Sequence, residues 1–178
     1  DKISDILFCS TQTAIENLKN EKIKGSIHLV GDIMIDTLKL SLEAAEKNSN
    51  ILQDLDLKPK EFMIATVHRA GNTDDEANLR NIVESFVESG EKIIFPVHPR
   101  TAKVLKSYGL DKKFKNTNVA VVRPLSYTDI LVLEKNAKKI LTDSGGMQKE
   151  AYFFKVPCIT LRDETEWTET VDDGWNIL

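Results

Sequence analysis

The sequence predicts an α/β fold in which helices cover both faces of a parallel sheet, that is, a doubly wound sheet. From Glu61 onward, short apolar runs alternate with amphipathic stretches, which is typical of strand–helix–strand units. The apolar runs are rich in β-branched residues and contain few polar ones, as expected of strands that are buried on both faces. With 178 residues, 41% of them hydrophobic, the chain is long enough to bury such a core.

Strands and helices alternate through this second part of the chain. The predicted strands are 62–67, 92–97, 119–122, 139–142 and 157–161. The predicted helices lie between them, at 76–88, 101–108, 127–136 and 147–154, where apolar residues recur at helical spacing. This order predicts a sheet built from consecutive crossover units.

The chain before Glu61 has a different pattern, with predicted strands at 6–8 and 27–30 and helices at 11–20 and 33–46. Thr11 is a candidate helix N-cap, without the glutamate that would complete a capping box. Because two strands do not form a stable sheet alone, residues 1–50 are predicted to be the tail of a preceding domain plus a connector. Residues 51–178 are then the second domain. The start at Asp1, closely followed by an apolar run, suggests a cut through a longer protein.

Composition argues against several classes of partner and cofactor. With 28 acidic and 24 basic side chains, the net charge of -4 provides no general attraction for nucleic acid or an anionic membrane. Cys9 and Cys158 have no neighbouring Cys or His at metal-ligand spacing, so we expect two buried thiols in a reducing compartment and no metal site. No apolar run reaches membrane-spanning length and no signal segment is present, so a cytoplasmic location is expected.

Charged side chains follow nearly every predicted strand of the second domain. In open α/β sheets, ligands bind at the carboxyl ends of the strands, so these residues are the first candidates for a site. The set predicts a cleft for an anion, with Arg69 and Arg162 among its ligands, although strand ends are also polar simply because loops are solvated. The residues are His68 and Arg69, His98 and Arg100, Arg123, Asp143 and Ser144, and Arg162 and Asp163.

The sharpest local feature is the turn Ser144-Gly145-Gly146, which leads directly into a predicted helix. Glycines allow close approach of the backbone to a ligand, and a helix start presents unpaired amide hydrogens. A phosphate fits such a site, with the Ser144 hydroxyl as a further donor. Glu150, about one turn into the helix, is placed to accept bonds from two ribose hydroxyls. The alternative is that the turn only caps the helix.

His68 is a candidate to donate to phosphate or to transfer protons, since an imidazole titrates near neutral pH. A structural hydrogen-bonding role is the alternative. Neither a nucleophile elbow nor a Walker-type loop is present, which argues against triad hydrolases and P-loop enzymes. The acidic run 162–166, with Trp167 and Glu169, is suited either to sugar hydroxyls or to a helix N-terminus.

Several motifs, in order, resemble the non-hydrolysing UDP-N-acetylglucosamine 2-epimerases. The resemblance implies the C-terminal half of a two-domain fold like that of B-type glycosyltransferases, with the ligand between two Rossmann-like halves. The matching segments span nearly the whole chain: Leu29-Val30-Gly31-Asp32 with Ile35-Asp36, Thr66-Val67-His68-Arg69 with Asn72, Pro96-Val97-His98-Pro99, Leu141-Thr142-Asp143-Ser144-Gly145-Gly146 with Gln148 and Glu150-Ala151, and Arg162-Asp163 with Thr165-Glu166.

The resemblance also implies roles for individual residues. Ser144, Gly145 and Gly146 would contact the diphosphate of a UDP-sugar and Glu150 its ribose, while His68 would be catalytic, near the reacting sugar. Positions matching Arg69 and His98 help some bacterial members to bind a second, activating UDP-sugar. The family's reaction eliminates UDP to a glucal intermediate and adds it back, so no cofactor is expected.

The resemblance implies partners as well, and it leaves alternatives open. The proton-transferring carboxylates belong mainly to the N-terminal domain, so this chain alone is expected not to epimerise, and the intact protein is expected to be a homodimer. The chain has Ala70-Gly71-Asn72 where the family often has a glutamate, and Trp167-Thr168 where it has Arg-Pro. A UDP-diacetamido-uronate 2-epimerase, a hydrolysing epimerase, a B-type glycosyltransferase and an inactive nucleotide-binding module are the alternatives.

Overall fold

The computed structural model describes all residues, 1–178, and the chain divides into two compact units, residues 1–41 and 42–178. The division falls inside the helix Ile33–Asn48, upstream of the domain boundary predicted between residues 50 and 51. That the first unit is the tail of a preceding domain stays a prediction.

The first unit contains two parallel strands and the helix that connects them. β1 (Ile6–Cys9) pairs in register with β2 (Ser26–Leu29), and α1 (Gln12–Asn20) lies between them in the chain. The Thr11 hydroxyl accepts from the amide of Ala14 at 3.1 Å, which confirms the predicted N-cap. One face of β1 packs against α1, whereas Phe8 on the other face is 72% exposed. α2 (Ile33–Asn48) follows.

The second unit is built on a six-stranded parallel sheet, which confirms the predicted fold class. The strand order, β5-β4-β3-β6-β7-β8, is that of a doubly wound nucleotide-binding fold, and it reverses direction between β3 and β6. The strands are β3 (Met63–Thr66), β4 (Ile93–Pro96), β5 (Val119–Val122), β6 (Lys139–Thr142), β7 (Cys158–Thr160) and β8 (Asn176–Ile177).

All four predicted helices of this unit are present, two of them starting earlier than predicted. α6 begins at Pro99 because His98 caps it and proline fits the first helical turn. α8 begins at Gly145 because Ser144 caps it. The helices are α3 (Ile51–Asp54), α4 (Ala70–Thr73), α5 (Glu76–Glu88), α6 (Pro99–Ser107), α7 (Tyr127–Asn136), α8 (Gly145–Phe154) and α9 (Thr168–Asp172), with a 3₁₀ helix at Leu110–Phe114.

Apolar side chains of the central strands and the flanking helices form the core of the second unit. On one face of the sheet, Phe86, Phe95 and Phe114 make successive edge-to-face contacts with ring centroids 5.7 and 6.0 Å apart. Such packing fixes the strands, and therefore the loops at their carboxyl ends. No helix combines the length and the apolar character needed to cross a membrane.

Candidate functional site

Asp143 organises the carboxyl ends of β3 and β6, which are adjacent strands at the point where the sheet order reverses. Its side chain is fully buried and accepts from the backbone amides of His68 and Arg69, each at 2.9 Å, and from Nδ2 of Asn72 at 3.0 Å. Nδ1 of His68 lies 3.0 Å from its other oxygen. One carboxylate therefore fixes the whole turn after β3.

The donors around Asp143 decide its charge. Burial raises the pKa of this carboxyl group, but hydrogen bonds from the His68 side chain, the Arg69 amide, Asn72 and the His68 amide outweigh burial and lower the pKa below its usual value. Because an ionised carboxylate only accepts, Nδ1 of His68 carries a proton. Nε2 of His68 is then left for a ligand, and the side chain is 42% exposed.

The N-terminus of α8 begins directly after Asp143. Ser144 caps the helix, its hydroxyl accepting from the Met147 amide, and its own amide donates to Thr142 Oγ1 at 3.0 Å. Gly145 is buried and Gly146 half-buried at the first turn of this ten-residue helix. Amides without partners within the helix and the positive end of the helix dipole therefore meet at the switch point. This is the position that the sequence predicts for a phosphate.

A carboxylate already lies beside this helix start. A methyl group at Gly145 would come within 2.5 Å of Glu166 Oε1 and 3.1 Å of Trp167 Nε1, so glycine leaves the space that the end of the Glu166 side chain occupies. Arg162 Nη1 lies 2.9 Å from Glu166 Oε2, and Arg69 Nη2 lies 3.9 Å from Oε1. Gly145, Arg69 and Arg162, all predicted anion ligands, therefore converge on one acidic side chain.

Arginines stabilise the negative charge of Glu166. Partial burial raises the pKa of this carboxyl group, but a backbone hydrogen bond, the hydrogen bond and charge of Arg162, and the charge of Arg69 together lower it. The indole Nε1 of Trp167 is buried and has no hydrogen-bond acceptor. The loop 162–167 thus places an anion, two cations and a free donor around the first residue of α8.

A mainly apolar cleft of about 260 Å³ opens at the carboxyl ends of β3, β4, β5 and β6. Three predicted site residues, His68, His98 and Ser144, line this cleft. Apolar walls with a few polar groups are typical of small-molecule sites. The apolar lining comes from Val67, Pro96, Pro124, Leu125, Ile130 and Met147.

His98 has a structural partner. Its Nδ1 accepts from the Arg100 amide at 3.2 Å, which caps α6. The guanidinium of Arg100 donates to both oxygens of Asp74, at 2.7 and 2.8 Å, so its charge is already paired. A role for His98 in binding a second ligand stays a prediction.

Glu150 belongs to a separate buried group between α7 and α8. It is 7% exposed, and the Tyr127 hydroxyl donates to its Oε1 at 2.9 Å. Burial raises its pKa, against hydrogen bonds from Tyr127 and Glu134 and the charge of Lys149, and the net shift is upward. Burial of this kind is unusual for a carboxyl group and marks the group as a functional candidate.

The sequence arguments missed three residues of these groups. Asp143 was noted as a strand-end residue and as part of a family motif, but not as the group that fixes the turn after β3, although a carboxylate directly after a buried strand at the switch point is a signal for such a role. Glu134 occupies a core position of the apolar pattern in α7, between Leu133 and Ala137, and that mismatch is a signal too. Glu166 was noted in the acidic run 162–166, but its pairing with Arg69 and Arg162 could not be predicted, because that pairing depends on the fold of the loop.

The two cysteines and the acidic side chains form no metal-binding group. Cys9 and Cys158 are buried free thiols, as predicted. Burial raises the pKa of the Cys158 thiol to about 12. No group of three or more His, Cys, Asp or Glu side chains is arranged to hold a metal ion.

The strand order, the helix start at the switch point and the cleft beside it define the class of the second unit. It is a doubly wound α/β domain of the type that binds nucleotides at the carboxyl edge of its sheet. The chain belongs to the UDP-N-acetylglucosamine 2-epimerase family, whose model matches residues 1–178. This confirms the family resemblance of the sequence.

Similar proteins are about twice as long as this chain. A UDP-N-acetylglucosamine 2-epimerase homolog of Methanococcus maripaludis is 58% identical over all of the chain, which covers 50% of that protein. A UDP-2,3-diacetamido-2,3-dideoxy-D-glucuronate 2-epimerase of Pseudomonas aeruginosa is 41% identical, with 100% and 49% covered. The crystal structure of the Methanocaldococcus jannaschii UDP-GlcNAc 2-epimerase with UDP-GlcNAc and UDP superposes with a TM-score of 0.91 at 44% identity, covering 99% and 50%. The chain spans about half the length of each.

Proposed function

We propose that the chain is the UDP-binding part of a UDP-N-acetylglucosamine 2-epimerase, which interconverts UDP-GlcNAc and UDP-ManNAc. The observation that carries the proposal is the convergence of Arg69, Arg162 and the helix start at Gly145 on one carboxylate. A carboxylate and a phosphate oxygen use the same donors, so a place that holds Glu166 also suits a diphosphate. The complex of the Methanocaldococcus jannaschii relative with UDP-GlcNAc and UDP supports the choice of nucleotide.

The remaining parts of UDP have matching surroundings. The apolar cleft beside His68 and Ser144 suits a flat base, with Pro124 and Leu125 as walls. Glu150, one turn into α8, presents a carboxylate for the two ribose hydroxyls. Base, ribose and diphosphate would thus be held by groups around a single helix, α8.

In the proposed reaction, a base removes the proton from C2 of the sugar while the C1–O bond breaks and UDP leaves with the bonding electrons. A glucal intermediate remains. A proton then returns to C2 on the opposite face, and the UDP oxygen forms the bond to C1 again. Donors at the diphosphate stabilise the charge that develops on UDP as the bond breaks, and they keep UDP bound for its return.

His68 is proposed as the catalytic residue that this chain contributes. Asp143 fixes the Nδ1 proton, so Nε2 faces a ligand in a defined tautomer. The carboxylates that move the C2 proton are proposed to lie in the other half of the protein, in line with the twofold length of the relatives. We further propose that the intact enzyme is a cytoplasmic homodimer that needs no cofactor.

The decisive experiment incubates the intact protein with UDP-GlcNAc in deuterated water. We expect deuterium at C2 of a sugar that remains attached to UDP. Release of free UDP and N-acetylmannosamine would instead indicate a hydrolysing enzyme, and turnover only with an added acceptor would indicate a glycosyltransferase. If the sugar stays unchanged, the protein is a nucleotide-binding module without epimerase activity.

A second candidate substrate is a UDP-diacetamido-uronate, because the Pseudomonas aeruginosa relative named for such a substrate is 41% identical. Trp167 beside Gly145 is the feature of the loop that departs from the family pattern. Comparing kcat/KM for the two UDP-sugars on the intact protein decides between them. We expect UDP-GlcNAc to be preferred, and a higher kcat/KM for the uronate would overturn that assignment.

A further inference from the structure

Glu134 lies in the last turn of α7 as a fully buried carboxyl group, and neither of its oxygens has a donor in hydrogen-bonding contact. An ionised carboxylate without donors is strongly unfavourable in a protein interior, and such groups keep their proton instead. The backbone amides of α7 cannot supply the missing bonds, since they are used within the helix. Glu134 is therefore a neutral carboxylic acid in the folded protein.

The carboxyl group of Glu150, on the neighbouring helix α8, is the acidic group that acts on Glu134. Two carboxylates repel each other, but a proton on Glu134 turns the contact into a hydrogen bond from Glu134 to Glu150. Burial, the charge of Glu150 and this hydrogen bond together raise the pKa of Glu134 well above its usual value. Glu150 then accepts from two hydroxyl groups, those of Glu134 and Tyr127.

The other titratable groups around the pair also favour a proton on Glu134. Tyr127 is in electrostatic contact with Glu134, and burial together with Glu150 raises its pKa, so it stays a donor. Burial, with a smaller contribution from Glu134, raises the pKa of the Cys158 thiol on β7, so this thiol is neutral. Lys149 is the one cation that acts on the pair, and it acts on Glu150. The negative charge of the pair therefore resides on Glu150.

We propose that Glu134 is a positioning residue that, as a neutral acid, holds the Glu150 carboxylate in the orientation that receives the ribose hydroxyls of the nucleotide. This rests on the proposed function for the identity of the ligand. When Glu134 loses its proton, two negative charges meet in a buried space. Glu150 must then move away, and its contact with the ribose is lost. Nucleotide affinity consequently falls as the pH rises and Glu134 loses its proton.

Calorimetric titration of the intact protein with UDP, over the pH range in which it stays folded, tests the proposal. 2′,3′-Dideoxy-UDP serves as the reference ligand, because it has the same diphosphate but no ribose hydroxyls. We expect the affinity ratio of UDP to dideoxy-UDP to fall with rising pH in the wild-type chain. In Glu134→Gln, whose amide still donates to Glu150, the ratio should stay at its neutral-pH value throughout.

Removing the donor separates positioning from simple packing. Glu134→Leu should lower UDP affinity by roughly tenfold at neutral pH and leave dideoxy-UDP affinity unchanged. Tyr127→Phe, which removes the other donor to Glu150, should weaken UDP binding but keep the pH dependence. The matched control is Glu91→Gln, since Glu91 is paired only with Lys138 at the surface. It should behave like the wild type.

The possible failures are distinguishable. If UDP does not bind at any pH, the proposed function is wrong. If UDP binds with a ratio that does not change with pH, or equally well to Glu134→Leu, the role of Glu134 is wrong while the proposed function stands. Infrared spectra provide a measurement without ligand. At neutral pH the wild type should show a protonated carboxyl band that Glu134→Gln lacks, and its absence from the wild type would also overturn the proposal.

Discussion

Asp143 and Glu134 are both fully buried carboxyl groups in the same unit, yet Asp143 is ionised and Glu134 is neutral. Asp143 is surrounded by four donors and has a lowered pKa, whereas Glu134 has only another carboxyl group beside it and a raised pKa. Burial acts in the same direction on both. The donors decide which group remains ionised.

The difference between the two positions follows from local backbone structure. Asp143 leaves the end of a strand and faces a turn whose amides, at His68 and Arg69, are not used in the sheet. Glu134 belongs to the last turn of a helix, where the nearby backbone amides are already bonded within the helix. A loop at a strand end can therefore hold an anion, and a helix interior holds a neutral acid.

Removing the Asp143 carboxylate should have the largest effect on stability. Asp143→Ala leaves the donors of His68, Arg69 and Asn72 without an acceptor, and we expect the free energy of unfolding to fall by roughly 3–5 kcal/mol in urea titrations. Asp143→Asn keeps one acceptor and the shape, so it should lose clearly less. Equal losses for the two variants would show that the charge and its donors are unimportant.

Stability should depend on pH in opposite directions at the two groups. The folded-state pKa of Asp143 is lowered, so its contribution is complete above the unfolded value and is lost as the pH falls through the folded value. The pKa of Glu134 is raised, so its contribution is complete below the unfolded value and is lost as the pH rises through the folded one. Each limb has a slope of at most about 1.4 kcal/mol per pH unit per proton.

Single variants should remove one limb each from the curve of unfolding free energy against pH. Asp143→Asn should flatten the limb at lower pH and leave the limb at higher pH, and Glu134→Gln should do the reverse. Chemical denaturation across the pH range measures both limbs. A Glu134→Gln curve that keeps the higher-pH limb of the wild type would contradict the assignment of the proton to Glu134.

Replacing the neutral acid should affect stability much less than replacing the anion. In Glu134→Leu the burial of a polar group is relieved, while Glu150 loses one of its two donors. We expect the free energy of unfolding to change by less than about 1 kcal/mol, in either direction. Thermal and urea unfolding of the variant beside Asp143→Ala gives the comparison directly, and a loss as large as that of Asp143→Ala would contradict it.

Gly145→Ala should have the smallest effect on stability. The new methyl group meets the end of the flexible Glu166 side chain, which can swing away, and alanine favours the helix, so we expect a change below about 1 kcal/mol. UDP affinity should still fall by roughly tenfold, because the diphosphate needs the same space. Gly71→Ala is the matched control, since nothing lies within 4 Å of its added methyl group, and it should bind UDP like the wild type.

The sequence predicted the long elements of the fold correctly, because their apolar periodicity extends over enough residues to be recognised. α5 and α7 match the predicted helices 76–88 and 127–136 at both ends. The short helices α4 and α9 and the strand β8 were missed, since two to five residues carry no period. They form through tertiary contacts, as when Asn72 of α4 donates to Asp143 and to the Leu161 carbonyl.

The sequence predicted individual residues of the candidate site, but not which of them lie in contact with each other. The strand-end rule brought out His68, Ser144 and His98, which line one cleft. It did not show that Glu166 would lie between Arg69 and Arg162, because the path of an irregular loop is not encoded in a local pattern. The proton on Glu134 was also hidden, since it depends on which side chain faces it from α8.

The carboxylate of Glu166 makes binding beside Gly145 a competition. Glu166 lies four residues from Arg162 in the same loop, so its carboxylate is present at a high effective concentration beside that arginine. A phosphate that bound here would replace the Glu166 carboxylate as the anion beside Arg69 and Arg162. The affinity of such a site for a ligand would therefore reflect how much more strongly the ligand binds the N-terminus of α8 than the Glu166 carboxylate does. In the proposed site, a diphosphate would bind only if it used these donors better than a single carboxylate does.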